Sequence, residues 1–164
     1  ELMTTSREVQ KTMAEAIQGM WKKHLGVHVD IRSCEWTAYK FAQNSMQYDF
    51  SSSSWSGDYL DPSSFLDLWS SASGNNNTGW SRPEYERLLA ESRATGDQEK
   101  RMALLARAEA LMLSESPVIP LYWARRSYLK RPEVRGWHPL LLDNHLFEDI
   151  SLGAPREQGK EAAP

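Results

Sequence analysis

The sequence predicts an α/β fold, and three observations carry that expectation. Apolar residues alternate with polar ones over short runs, clearest at 27–31, as half-buried strands require. They recur every three or four positions from Val9 to Trp21, and again from Met102 to Met112, as amphipathic helices require. The two patterns interleave: strand, helix, strand, helix, strand, several helices, strand. That order belongs to an α/β layout.

Each element has a local cause. Glu1 to Thr5 reads as a strand running into a helix start. Thr5-Ser6-Arg7-Glu8 fits a capping box, with Thr5 as cap and Glu8 reaching back to its amide. Val9, Met13, Ala16, Ile17, Met20 and Trp21 then share one helix face. Gly26 ends that helix, because it takes positive φ without a Cβ penalty. Val27, Val29 and Ile31 alternate with His28 and Asp30 and predict a strand. A second helix is expected from Thr37 to about Met46, and a strand from Tyr48 to Trp55 through the run Ser51-Ser52-Ser53-Ser54. In Gly57-Asp58-Tyr59-Leu60-Asp61-Pro62, Asp61 is placed to cap and Pro62 to open a short helix with Phe65, Leu66 and Trp69 on its apolar side. Residues 74–79 form a Gly/Asn loop. Ser81-Arg82-Pro83-Glu84 starts a capped helix with Tyr85, Leu88 and Leu89 inward. Asp97 starts a longer one with Met102, Leu105, Ala108, Leu111 and Met112 inward, and Pro117 and Pro120 bracket its end. Leu121 to Lys130 reads as a last strand, followed by loop and short extended pieces. Gly153 to Pro164 is polar, has no apolar period and is expected to be disordered. Residue 1 is Glu and sits inside a strand pattern, which is what a processed or excised piece looks like.

Composition removes several function classes. At 164 residues the chain has the size of one domain. It carries 19 basic and 22 acidic residues, so no basic excess draws it to a polyphosphate backbone and general nucleic-acid binding is not expected. No apolar run approaches the length of a membrane-spanning helix. A single cysteine, Cys34, rules out an intrachain disulfide framework. Seven Trp, six Tyr and four Phe supply flat, rigid surfaces of the kind that fill a core or wall a cleft.

Few residues point to chemistry. His24 and His28 straddle the helix end at Gly26, and no carboxylate or thiol stands beside them at metal-ligand spacing, so neither a metal nor another cofactor is expected. His138 and His145 read as scattered surface residues, and Cys34 has no companion thiol or adjacent His. Trp55-Ser56-Gly57 lacks the leading glycine of a nucleophile elbow, and no nucleophile, base and orienter fall at usable spacing, so no enzyme activity is expected. Asp58 is the informative position. Small residues at 51–54 and 56–57 let another backbone approach, Trp55 can wall a pocket, and an acid at the strand's end can hold a cation. Together they describe a site for an extended peptide, with backbone pairing and a carboxylate for the α-ammonium. The alternative is that Asp58 and Asp61 only shape a turn and cap the next helix. Composition and spacing alone favour that plainer reading.

A resemblance changes the balance. Six segments occur in order: residues 14–27 with Gly19-Met20-Trp21 and Leu25-Gly26-Val27; Glu35-Trp36; Trp55-Ser56-Gly57-Asp58-Tyr59-Leu60-Asp61-Pro62-Ser63-Ser64-Phe65-Leu66; Gly74-Asn75-Asn76-Asn77-Thr78-Gly79-Trp80; Pro117-Val118-Ile119-Pro120-Leu121-Tyr122 after the long helix; and Leu142-Asp143-Asn144. Over about residues 1–152 the chain resembles the periplasmic oligopeptide-binding proteins, family 5 of the extracellular solute-binding proteins of ABC importers. The resemblance implies a type II periplasmic-binding-protein-like fold that closes on its ligand by hinge motion. It implies that this chain is the carboxyl-terminal portion. Residues 1–117 would be the ligand-binding lobe, 118–152 the crossover and strands returning to the other lobe, and 153–164 a tail.

The same resemblance implies a non-enzymatic role: oligopeptide capture for a membrane ABC permease, in the periplasm or lipid-anchored outside the cytoplasm. Asp58 would bind the peptide's free amino group. Trp55 and Trp36 would line side-chain pockets, and the backbone at Ser54, Ser56 and Asp58 would pair with the peptide. Tyr122 or Trp123 would reach a pocket as well. Ser56 stands where some relatives carry a disulfide cysteine, and Ser52 where some carry an Arg for a peptide carboxylate. Three alternatives stay open: the same family with a nickel chelate, oligosaccharide or opine as ligand, a standalone α/β domain, and self-association of the chain through exposed terminal strands.

Overall fold

The computed structural model describes residues 1–125, 127–140, 142–143 and 145–153. Arg126, Leu141, Asn144 and residues 154–164, the last of which make up nearly all of the expected disordered tail, lie outside the described residues. The chain divides into two compact units, Glu1–Ile119 and a second from Pro120.

The first unit is built on a parallel sheet of β1 (Leu2–Thr5), β2 (Ile31–Cys34) and β3 (Phe50–Ser51), in the order β2-β1-β3. Leu2 pairs with Ile31 on one side and Phe50 on the other. Parallel neighbours need a helical crossover, and α1 (Glu8–Leu25) and α2 (Trp36–Asn44) provide the two. Alternate residues of β1 face opposite ways. Leu2 packs with Ala14, Ile17 and Val29, whereas Met3 packs with Tyr39 and Ala42. The two crossover helices therefore cover opposite faces, and β1, central between them, is buried from Leu2 to Thr4.

The rest of the unit is helical. A short α3 (Ser63–Leu66) passes into a 3-10 turn at Asp67–Trp69, and α4 (Pro83–Ala94) packs on α5 (Gln98–Glu115). Leu66, Tyr85, Leu88, Leu89, Leu104, Leu105, Ala108 and Met112 form this second core. The Asp97 carboxylate caps α5 by accepting from the Lys100 amide at 3.1 Å. Gly26 ends α1 at φ 68°, and Val27 N–H reaches back to the Trp21 carbonyl.

Several expectations change. Residue 7, not Thr5, is the cap of α1, and no side chain caps it, because Thr5 is held in the sheet opposite Cys34 and Ser6 N–H bonds the Cys34 carbonyl. The second strand is 31–34 rather than 27–31, since its pairing partner spans only 2–5 and contact begins where Leu2 N–H meets the Asp30 carbonyl. The third strand shrinks to Phe50–Ser51, with Ser52 N–H adding one further bond to the Met3 carbonyl. No side chain caps α4, which starts at Pro83. Met102 points outward, 40% exposed, and Leu104 takes the inward position. Residues 121–130 form no strand among the described residues. The second unit's pairing is instead a short antiparallel ladder of β4 (Val134–Arg135) and β5 (Ser151–Leu152), beside a cluster in which Trp137 meets Tyr128 edge-on and stacks on His145.

Candidate functional site

In an open parallel sheet the ligand crevice forms at the carboxyl ends of the strands, where the strand order reverses. Here the reversal lies between β1 and β3, whose carboxyl ends are Thr5 and Ser51. The serine run leaves the sheet at this point. Tyr39 of α2 fixes the exit: its hydroxyl donates to the Ser52 carbonyl at 2.6 Å and lies 3.0 Å from Ser51 Oγ. Gln43 Nε2 supports that hydroxyl at 3.2 Å.

Beyond Ser52 the backbone changes character. Among the described residues, the amides and carbonyls of residues 53–57 make no hydrogen bond. Ser53 to Ser56 are exposed. Yet the segment is anchored at its far end. Trp55 Nε1 donates to the Ser64 carbonyl at 3.0 Å, and the Asp58 amide donates to Ser64 Oγ at 2.7 Å. Gly57 lies against the Phe65 ring, where a Cβ would approach to 3.0 Å. The result is a backbone stretch with unpaired donors and acceptors, held in place by side chains rather than by a sheet.

The two acids of the turn have different surroundings. Asp61 is fully engaged. Its carboxylate takes two bonds from Arg101 of α5, both at 2.7 Å, and Oδ1 accepts from the Ser63 amide at 2.9 Å. The Arg101 guanidinium, with that capping bond, holds the Asp61 carboxyl well below the usual carboxylate range. The Asp58 carboxylate is exposed and, among the described residues, has no hydrogen-bond or ion-pair partner. Capping and turn formation thus fall to Asp61, leaving Asp58 available.

Trp36, the first residue of α2, is 56% exposed. Its ring stacks on Tyr39 at 5.9 Å, with the Lys40 ammonium above it at the same distance. Tyr39 thereby links Trp36 to the Ser51–Ser52 exit. Trp55 and Asp58 meet at Ser64, while Ser54 and Ser56 lie on the unpaired stretch. Tyr122 and Trp123 belong to the second unit, both exposed. Sequence reading missed Ser64, Tyr39 and Arg101. A serine beside Pro62 and a tyrosine on a helix carry no distinguishing signal, and Arg101 is 40 residues from Asp61.

Residues 1–77 match the family model "Bacterial extracellular solute-binding proteins, family 5 Middle". The oligopeptide-binding protein OppA of Bacillus subtilis is 36% identical over 83% of this chain and 25% of its own length. The probable deoxycholate-binding periplasmic protein YgiS of Escherichia coli is 34% identical over 84% of this chain and 26% of its own. Among solved structures, a periplasmic oligopeptide-binding protein of Borrelia burgdorferi (OppAIV) superposes with a TM-score of 0.82 at 31% identity, covering 92% of this chain and 31% of that one. The chain spans about a quarter of the length of the curated relatives it matches. Sequence, family model and fold agree, and the chain belongs to the bacterial extracellular solute-binding proteins of family 5.

Proposed function

We propose that this chain is the carboxyl-terminal portion of a receptor that captures oligopeptides outside the cytoplasm and delivers them to an ABC permease. A peptide lies extended along residues 53–57, pairing with their backbone. Its α-ammonium meets the Asp58 carboxylate, and its side chains enter spaces walled by Trp55 and Trp36. The observation that carries this reading is the combination at 53–58: an anchored stretch of unpaired backbone ending in a free carboxylate. Backbone pairing is common to all peptides, so such a site accepts many sequences, and the ammonium contact fixes register. The similarity to oligopeptide-binding OppA points the same way. The residues assigned to the other lobe, 118–152, expose Leu121, Tyr122, Trp123, Leu129, Phe147 and Leu152, an apolar surface that a larger protein would cover.

A second reading keeps the family and changes the solute. It is favoured by the similarity to a protein named for probable deoxycholate binding. Native mass spectrometry of the longer protein, purified without refolding, separates the two. Peptide capture yields a ladder of co-purified masses that fragment as peptides. A single sterol-sized mass would favour the second reading and count against the first.

A further inference from the structure

We propose that Arg101 of α5 is a positioning residue for the ligand's amino-terminal site, fixing through Asp61 and the first turn of α3 where the Asp58 carboxylate stands. This role rests on Asp58 being the ammonium partner, as proposed above. The connections run in one line. Arg101 grips both oxygens of Asp61 at 2.7 Å. Asp61 Oδ1 holds the Ser63 amide at 2.9 Å, and the Asp61 carbonyl accepts from the Ser64 amide at 3.0 Å. Ser64 then holds Asp58 by its amide at 2.7 Å and Trp55 by its indole at 3.0 Å. Among the described residues, Arg101 is the one residue outside 53–65 whose side chain bonds any residue of the stretch by hydrogen bond or ion pair.

The geometry suits a brace. A bidentate guanidinium–carboxylate pair fixes angle as well as distance, which one point contact does not. Its base is an 18-residue helix packed in the core through Leu104, Leu105, Ala108 and Met112. The opposite end of α3 has its own anchor, since Leu66 is buried and its carbonyl accepts from the Tyr85 hydroxyl at 2.7 Å. Losing Arg101 therefore leaves α3 attached at Leu66 and frees its first turn, where Ser64 holds Asp58 and Trp55.

A double-mutant cycle in the longer protein tests this, read by calorimetry with the tightest binder from a panel of tri- to pentapeptides. Arg101→Gln is expected to weaken binding about tenfold when Asp58 is present, and less than about twofold when Asp58 is already Asn. Arg101→Lys keeps the charge without the fork and is expected to fall between Arg101→Gln and wild type. A loss confined to general structure would be the same in both backgrounds. Equal losses, or no loss from Arg101→Gln while Asp58→Asn is strongly impaired, would overturn the positioning role and leave the ammonium site intact. If Asp58→Asn itself binds normally, both ideas fall. Should Arg101→Gln fail to fold, Asp61→Asn enters the same cycle, because it keeps the Oδ1 cap and loses the charge that Arg101 grips.

Discussion

Asp58 and Asp61 lie three positions apart in one turn, and they should differ in what they cost stability. Asp61→Ala removes the cap on the Ser63 amide and both bonds from Arg101. A lost cap costs about 0.5–2 kcal/mol. The ion pair adds less than a buried one would, because the Asp61 and Arg101 side chains remain 25% and 21% exposed and water screens them. The expected loss for Asp61→Ala is about 1–2 kcal/mol in total. Asp58→Ala removes a carboxylate with no partner among the described residues, and its amide bond to Ser64 is untouched, so stability should stay within about 0.5 kcal/mol of wild type. Peptide affinity should respond to Asp58 directly, and to Asp61 through its bond to Arg101. Asp58→Ala is expected to weaken binding at least about tenfold, or about 1.4 kcal/mol, the low end of what charge-assisted hydrogen bonds contribute. Urea unfolding followed by tryptophan fluorescence gives the stabilities, and calorimetry on the longer protein gives the affinities. Equal destabilisation by the two substitutions, or unchanged affinity in Asp58→Ala, would refute this division of labour.

Three further outcomes follow from the same geometry. Tyr85→Phe should cost about 1–3 kcal/mol in urea unfolding, because it strands the Leu66 carbonyl inside the second core; a neutral result would mean water replaces the bond. The Asp61 carboxyl is depressed in the folded state, so its contribution is complete above the unfolded value and is lost as pH falls through the folded one. The stability gap between wild type and Asp61→Asn should therefore be full at pH 7 and narrow below about pH 4, and a gap that widens on acidification would contradict the assignment. Gly79 sits at φ 71°, where Gly79→Ala should cost about 1 kcal/mol by thermal or urea unfolding, and no loss would show that the loop relaxes around a Cβ.

Local devices were the legible part of the fold. Asp97 as a cap, Gly26 as a left-handed stop and the inward row Tyr85, Leu88 and Leu89 each depend on residues within a turn or two. Strand extents were not legible, because a strand lasts only as long as its partner. The alternation at 27–31 is real, and Val29 is buried, but β1 offers backbone only from Leu2 onward. For the same reason the stretch at 121–130 reads as a strand but finds no ladder among the described residues. At the candidate site, the serines and Asp58 stood out by composition. Their supports did not: Tyr39 reaches Ser52 across 13 positions, and Arg101 reaches Asp61 across 40. No local pattern encodes such pairs, which arise only when α2 and α5 dock.

The most direct test of peptide capture is a calorimetric titration of the longer protein with one peptide, first with a free amino terminus and then N-acetylated. Acetylation removes the ammonium charge and leaves the backbone that would pair with residues 53–57. Peptide capture through Asp58 predicts saturable binding of the free peptide and a loss of at least about tenfold on acetylation. It also predicts that the loss shrinks in Asp58→Asn, which has already given up the ionic contact. Equal binding of the two forms would contradict the assignment of the amino terminus to Asp58 and return that residue to a turn.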